Sequence, residues 1–118
     1  MNTKQLLTLT TTALSNLKAQ NITILDVQEI SSVSDFMVIA SGTSNRHVTG
    51  IAKNLAEEAK KQGEKPLGVE GEVAGEWVLV DLGTVIVHVM QPQVRDFYQL
   101  EKLWTRIGEK SVDKQALI

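Results

Sequence analysis

Residues 34–48 read SDFMVIASGTSNRHV, and this stretch decides the fold. Phe36, Met37, Val38, Ile39 and Ala40 form a short apolar run with β-branched Val38 and Ile39 at its centre, the pattern of a buried strand. Ser41, Gly42, Thr43 and Ser44 interrupt it with small residues that permit a tight turn and offer a helix cap. From Asn45 onward the apolar positions Val48, Ile51, Ala52, Leu55, Ala56 and Ala59 form one stripe, while Arg46, Lys53, Glu57 and Lys60 largely avoid it. A buried strand running through a polar turn into an amphipathic helix is the building unit of an α/β protein. Loops at such junctions often carry function.

Working outward, that helix should span 45–62, with Gly63 as a left-handed cap and Pro66 preventing continuation. Upstream, Leu6, Ala13, Leu14 and Leu17 recur at helical spacing, with Asn2 or Thr3 placed to cap the first turn. Thr8, Thr10, Thr11 and Thr12 are weak helix formers, so tertiary packing must hold this helix. Strands are expected at 22–27, at 36–40 in a central position, and near 67–69. Residues 77–81 and 84–90 read as a hairpin turning at Leu82-Gly83, although leucine is not what a tight primed turn prefers. A last helix begins at Pro92 and places Phe97, Leu100, Trp104 and Ile107 on one stripe, with Val94, Tyr98 and Glu101 on the neighbouring one. A strand-helix-strand crossover favours parallel neighbours and a hairpin is antiparallel, so the expected class is α/β: a mixed β-sheet flanked by helices. Residues 1–107 should form a single domain and 108–118 a flexible tail.

Composition narrows the function classes. With no cysteine there are no disulfides, no thiolate nucleophile and no thiolate zinc site. No apolar run is long enough to cross a membrane and no signal peptide is visible, so a cytoplasmic location without membrane contact is expected. Twelve Lys and Arg against 14 Asp and Glu leave no basic excess, and Lys60, Lys61 and Lys65 sit beside Glu57, Glu58 and Glu64. Little direct nucleic-acid binding is therefore expected.

Catalytic chemistry finds weak support. The Ser41-Gly42-Thr43-Ser44 loop could seat a phosphate on backbone N–H groups, or simply shape a turn. Metal-assisted nucleotidyl transfer needs paired carboxylates beside such a loop, and Asp35, Glu70, Glu72 and Asp81 are scattered. His47 and His88 lack a second ligand at recognised spacing, so no metal, cofactor or catalytic residue is expected. The hairpin is more informative. A two-residue turn at Leu82-Gly83 would pair Asp81 with Thr84, Leu79 with Ile86 and Trp77 with His88 on one side, with Val78, Val80, Val85, Val87 and Val89 buried on the other. The mixed side must be covered by a helix or by a partner. Trp77 and Tyr98 read equally well as interface anchors and as core aromatics, whereas Phe97 and Trp104 read as core.

The junction above, together with VEGE at 69–72, WVLVDLG at 77–83, VHVM at 87–90 and RDFYQLEKLW at 95–104, resembles the Iojap-like ribosomal silencing factors over residues 3–104. That resemblance implies a sheet similar to the nucleotidyltransferase fold without its catalytic carboxylates. It also implies binding to the large ribosomal subunit through large-subunit protein fourteen, sterically blocking the small subunit and repressing translation without enzymatic activity. By matching positions, the implied contact residues are Trp77, Asp81, Leu82 and Tyr98, with His88, Pro92 and Glu101 also fitting the pattern. The chain departs from the family pattern at Thr84, where an acidic residue is common, and at Met90-Gln91. Glu70, Glu72, Glu76 and Asp81 would give an acidic rim suited to a basic ribosomal protein. The rival readings are a small nucleotidyltransferase-like enzyme acting on a nucleotide and, more weakly, an oligomerising adaptor. An exposed hairpin face would also let the free protein pair as a homodimer.

Overall fold

The structure is a computed structural model that describes residues 1–102. Its elements run α1 (Thr3–Asn16), β1 (Gln20–Asp26), β2 (Phe36–Ser41), α2 (Asn45–Lys61), β3 (Gly68–Glu70), β4 (Trp77–Asp81), β5 (Val85–Met90) and α3 (Pro92–Tyr98). The five strands form one sheet in the order β1-β2-β5-β4-β3, in which β2 and β5 are the one parallel pair among the described residues. This is the mixed, helix-flanked α/β sheet expected. The middle strand is β5, however, with β2 beside it.

The caps explain where the helices start. Asn2 and Gln5 form a reciprocal capping box on α1. The threonines are accommodated because Thr8, Thr10 and Thr11 donate their hydroxyls back to carbonyls one turn earlier. Ser44 caps α2 by accepting from the His47 N–H at 3.0 Å. Both helices pack on one side of the sheet. There Leu6 and Leu14 of α1, and Val48, Ile51 and Leu55 of α2, meet Val38, Val78, Val80, Val85, Val87 and Val89. The other side is covered more thinly: Met37, Ile39 and Met90 pack with Val27, and Trp77, Val94 and Leu100 add partial cover.

The hairpin differs from expectation by two residues. Trp77 pairs with Met90, Leu79 with His88 and Asp81 with Ile86. Leu82 donates its N–H to the Val85 carbonyl at 3.0 Å. The turn is therefore centred on Gly83-Thr84, with glycine at φ +89° in the first central position, as a tight primed turn favours. A shift of two leaves every side chain on its expected face, since strand side chains alternate with period two. It also places Leu82 with the valines, 7% exposed in the core, instead of at the tip of the mixed face.

A second correction concerns α3. It stops at Tyr98, where Gln99 adopts left-handed backbone with φ 49° and ψ 47°. Phe97 and Leu100 therefore do not share a stripe: Leu100 packs under the sheet, and Phe97, expected in the core, is 79% exposed. Trp104, Ile107 and the expected tail at 108–118 lie outside the described residues. No described helix is long and apolar enough to cross a membrane.

Candidate functional site

The mixed face of the sheet carries a row of four rings. The Trp77 indole N–H donates to His88 Nδ1 at 2.9 Å, with ring centroids 5.8 Å apart. Tyr98 lies 4.9 Å from Trp77 in a tilted arrangement, and Phe97 meets Tyr98 edge-on at 5.0 Å. Such offset and edge-on contacts each contribute about 0.5–1.5 kcal/mol beyond area burial. Exposure rises along the row, from His88 at 6% through half-buried Trp77 to Tyr98 at 55% and Phe97 at 79%. One end is thus fixed in the sheet and the other faces outward.

His88 holds the fixed end. Burial pushes its pKa from 6.5 down to about 4, so the ring is neutral at physiological pH. Because Nδ1 accepts from Trp77, the ring proton sits on Nε2, which is buried and has no acceptor among the described residues. Leaving such a donor unpaired costs about 1–3 kcal/mol.

Arg95 organises the outer end, and no sequence signal marked it as a site residue. Its Nε and Nη2 donate to the two Glu101 carboxylate oxygens at 2.9 and 2.7 Å. Nη1 donates to Ser41 Oγ and Nη2 also to Thr23 Oγ1, each at 2.9 Å. Hydrogen bonding to that guanidinium holds the Glu101 carboxyl below the ordinary range against the opposing effect of burial, with the Arg95 and Lys102 charges adding to the shift. Pro92, exposed, starts the same helix and supplies its fixed φ.

The matched residues do not form one cluster. Trp77, His88, Pro92, Tyr98 and Glu101 gather where β4 begins and β5 ends. Asp81 and Leu82 lie at the other end of β4, about 13 Å along the strand. There the Asp81 carboxylate accepts from the Gly83 N–H at 2.9 Å, while Ser34 Oγ donates to the Gly83 carbonyl at 3.1 Å. Exposed Leu67 and Val33 occur in the loops beside this tip, and neither was marked by sequence reasoning.

The Ser41-Gly42-Thr43-Ser44 loop is tied into the chain by several hydrogen bonds. Gly42 N–H donates to the Met90 carbonyl at 3.0 Å, Thr43 N–H to His47 Nδ1 at 2.9 Å and Val48 N–H to the Ser44 carbonyl at 2.9 Å. His47 then donates from Nε2 to the Leu17 carbonyl at 2.7 Å, tying the loop to the end of α1. Asp35 accepts from the Thr3 hydroxyl at 3.3 Å. Among the described residues, no three His, Asp or Glu side chains converge as a metal site. A groove of about 550 Å³ between α2 and β3 is lined by Lys53, Lys60, Lys65, Ala56 and Val69, residues separate from this loop.

A family model described as "Ribosomal silencing factor during starvation" matches residues 1–117. The chain is 48% identical over 91 residues to a Haemophilus influenzae protein named ribosomal silencing factor RsfS, covering 77% of this chain and 89% of that one. It is 39% identical over 104 residues to the Bacillus subtilis protein of the same name, covering 88% of each. Its fold is similar to the crystal structure of a Chromobacterium violaceum protein, with a TM-score of 0.87 and 41% identity over 89% of this chain and 88% of the other. The chain belongs to the ribosomal silencing factor family.

Proposed function

We propose that this protein is a ribosome-associated silencer of translation. It binds the large subunit through large-subunit protein fourteen and physically prevents the small subunit from joining. The observation that carries this reading is the aromatic row, fixed at His88 and projecting at Tyr98 and Phe97. Protein interfaces draw most of their energy from a few such anchors, because aromatic side chains bring large contact area with few rotamers to freeze. Trp77 and Tyr98 serve as anchors, Pro92 borders them, and Glu70, Glu72, Glu76 and Asp81 supply an acidic rim for a basic partner. His88 and Leu82 act from beneath the surface, one holding the indole and the other packing the tip. The mechanism is steric occupation of a joining surface and needs no cofactor or metal. Its setting is the cytoplasm, where ribosomes assemble from their subunits.

The nucleotidyltransferase-like alternative has less support, since in the loop that would cradle a phosphate the Gly42 and Thr43 N–H groups already donate within the chain. Cosedimentation with separated subunits at near-physiological salt tests the proposal. Wild-type protein should pellet with large subunits alone and keep added small subunits from joining, and Tyr98→Ala should lose both effects. Retention of both by Tyr98→Ala would remove the aromatic row from the mechanism, and absence of wild-type binding would remove the proposal itself.

A further inference from the structure

The run after Tyr98, QLEKLW, consists largely of good helix formers, so nothing local asks α3 to stop there. Yet Gln99 takes left-handed backbone, which a residue bearing a Cβ adopts at a steric cost, and residues 100–102 return to helix beyond it. In an unbroken helix Arg95 and Glu101 would stand about 9 Å apart along the axis and on different faces. The break instead brings the Glu101 carboxylate onto the Arg95 guanidinium with both oxygens engaged. Arg95 in turn uses its other donors on Ser41 of β2 and Thr23 of β1, so the pair is anchored to the sheet. Its side chain is 11% exposed and that of Glu101 is 29%. A carboxylate serving as a free rim charge would keep its oxygens for the partner.

We propose that Arg95 and Glu101 are positioning residues: they hold the left-handed break at Gln99 and thereby fix where Tyr98 and Phe97 project. Glu101 then serves the ribosomal interface through Tyr98 without touching the partner. This rests on the aromatic row being the contact surface. The consequence is a division of labour within α3, in which its inward residues set a geometry that its outward rings use.

The chain contains a single tyrosine, so 3-fluorotyrosine labelling gives one fluorine NMR resonance, from Tyr98. In the free protein Glu101→Ala should shift and broaden that resonance. In parallel it should weaken large-subunit binding about tenfold, mainly through faster dissociation, as expected for loss of a charge-assisted bidentate pair. Adding Gln99→Gly should restore the resonance and most of the affinity, because glycine holds the left-handed conformation without the steric cost. An unmoved resonance, or lost affinity that Gln99→Gly does not recover, overturns the proposal. If Glu101→Ala does not fold, Glu101→Gln takes its place with the same outcomes. Should Trp77→Ala and Tyr98→Ala leave ribosome binding intact, the contact-surface reading fails on its own, and the fluorine shift and its rescue still decide whether the pair positions Tyr98.

Discussion

Trp77 and His88 are joined by a hydrogen bond from the indole N–H to Nδ1 at 2.9 Å, although they are not directly opposed in the hairpin: Trp77 faces Met90, and His88 faces Leu79. The bond therefore runs diagonally across the β4–β5 ladder, which long side chains can span. It fixes the ring proton on His88 Nε2 and fixes the indole against the sheet, so the orientation of the outward aromatics begins with a buried imidazole.

That imidazole makes stability depend on pH. His88 has a folded-state pKa of about 4 against 6.5 for the exposed group, so the unfolded chain takes up the proton first as pH falls. Stability is fully present above about pH 6.5 and is lost between there and pH 4, by about 2 kcal/mol at pH 5. Urea unfolding at pH 7.5 and pH 5 should show that loss, and His88→Phe should flatten the difference. The lowered Glu101 carboxyl acts in the same direction, its contribution falling away below the ordinary glutamate range. An unchanged urea midpoint across this window in the wild type would mean that the ring is not held neutral by burial.

The two parts of the proposed interface should separate kinetically. Exposed Glu72 belongs to the rim, and Trp77 is half-buried behind Tyr98. Rim charges act chiefly on association and packed anchors on dissociation. Trp77→Ala should therefore raise the dissociation rate from large-subunit protein fourteen by about tenfold or more, whereas Glu72→Ala should mainly slow association and reduce its salt dependence. Surface kinetics at two salt concentrations reads both. Equal effects on the two rate constants would argue against a division into anchor and rim.

Gly71 bears on the site from outside it. A Cβ there would sit 2.2 Å from the Trp77 carbonyl oxygen, and its φ of +87° is itself costly for any other residue. Gly71→Ala should cost more than about 2 kcal/mol and displace the start of β4. Gly50, within α2 with nothing near its missing Cβ, is the contrast: Gly50→Ala should be stabilising by about 0.5–1 kcal/mol. Thermal unfolding of the two variants should move in opposite directions.

What the sequence disclosed, and what it did not, follows the range of the interactions involved. The stripe from Val48 to Ala59 and the alternating valines of β4 and β5 are local patterns, and the helix, the sheet and its two faces are legible from them. The turn register is not, because Asp35 and Phe36 both donate backbone N–H groups to the Thr84 carbonyl from the start of β2, almost fifty residues earlier. Nor is the end of α3, which depends on Arg95 reaching Thr23 and Ser41, positions set by strand order and not by helical spacing. For the site, Trp77 and Tyr98 were visible as aromatics in a suggestive pattern, and their stacking on each other was not. Leu82 was visible as an odd turn residue, and the two-residue shift explains the oddity: it is a core leucine that precedes the turn.

That position leads to a direct expectation for Leu82. Being 7% exposed and packed with the valine face, it should behave on truncation as a core residue: Leu82→Ala leaves a cavity behind the tip and should cost about 2–5 kcal/mol. Its hold on the turn is through packing, since the Asp81 carboxylate and the Ser34 hydroxyl already secure the Gly83 backbone. Ribosome binding by Leu82→Ala should then fall in proportion to the unfolded fraction and recover at temperatures where the variant is fully folded. Urea unfolding and subunit cosedimentation on the same preparation distinguish the cases. A fully stable Leu82→Ala that no longer binds would mean that the tip opens on docking and delivers this leucine to the partner, exchanging a contact within the core for one across the interface.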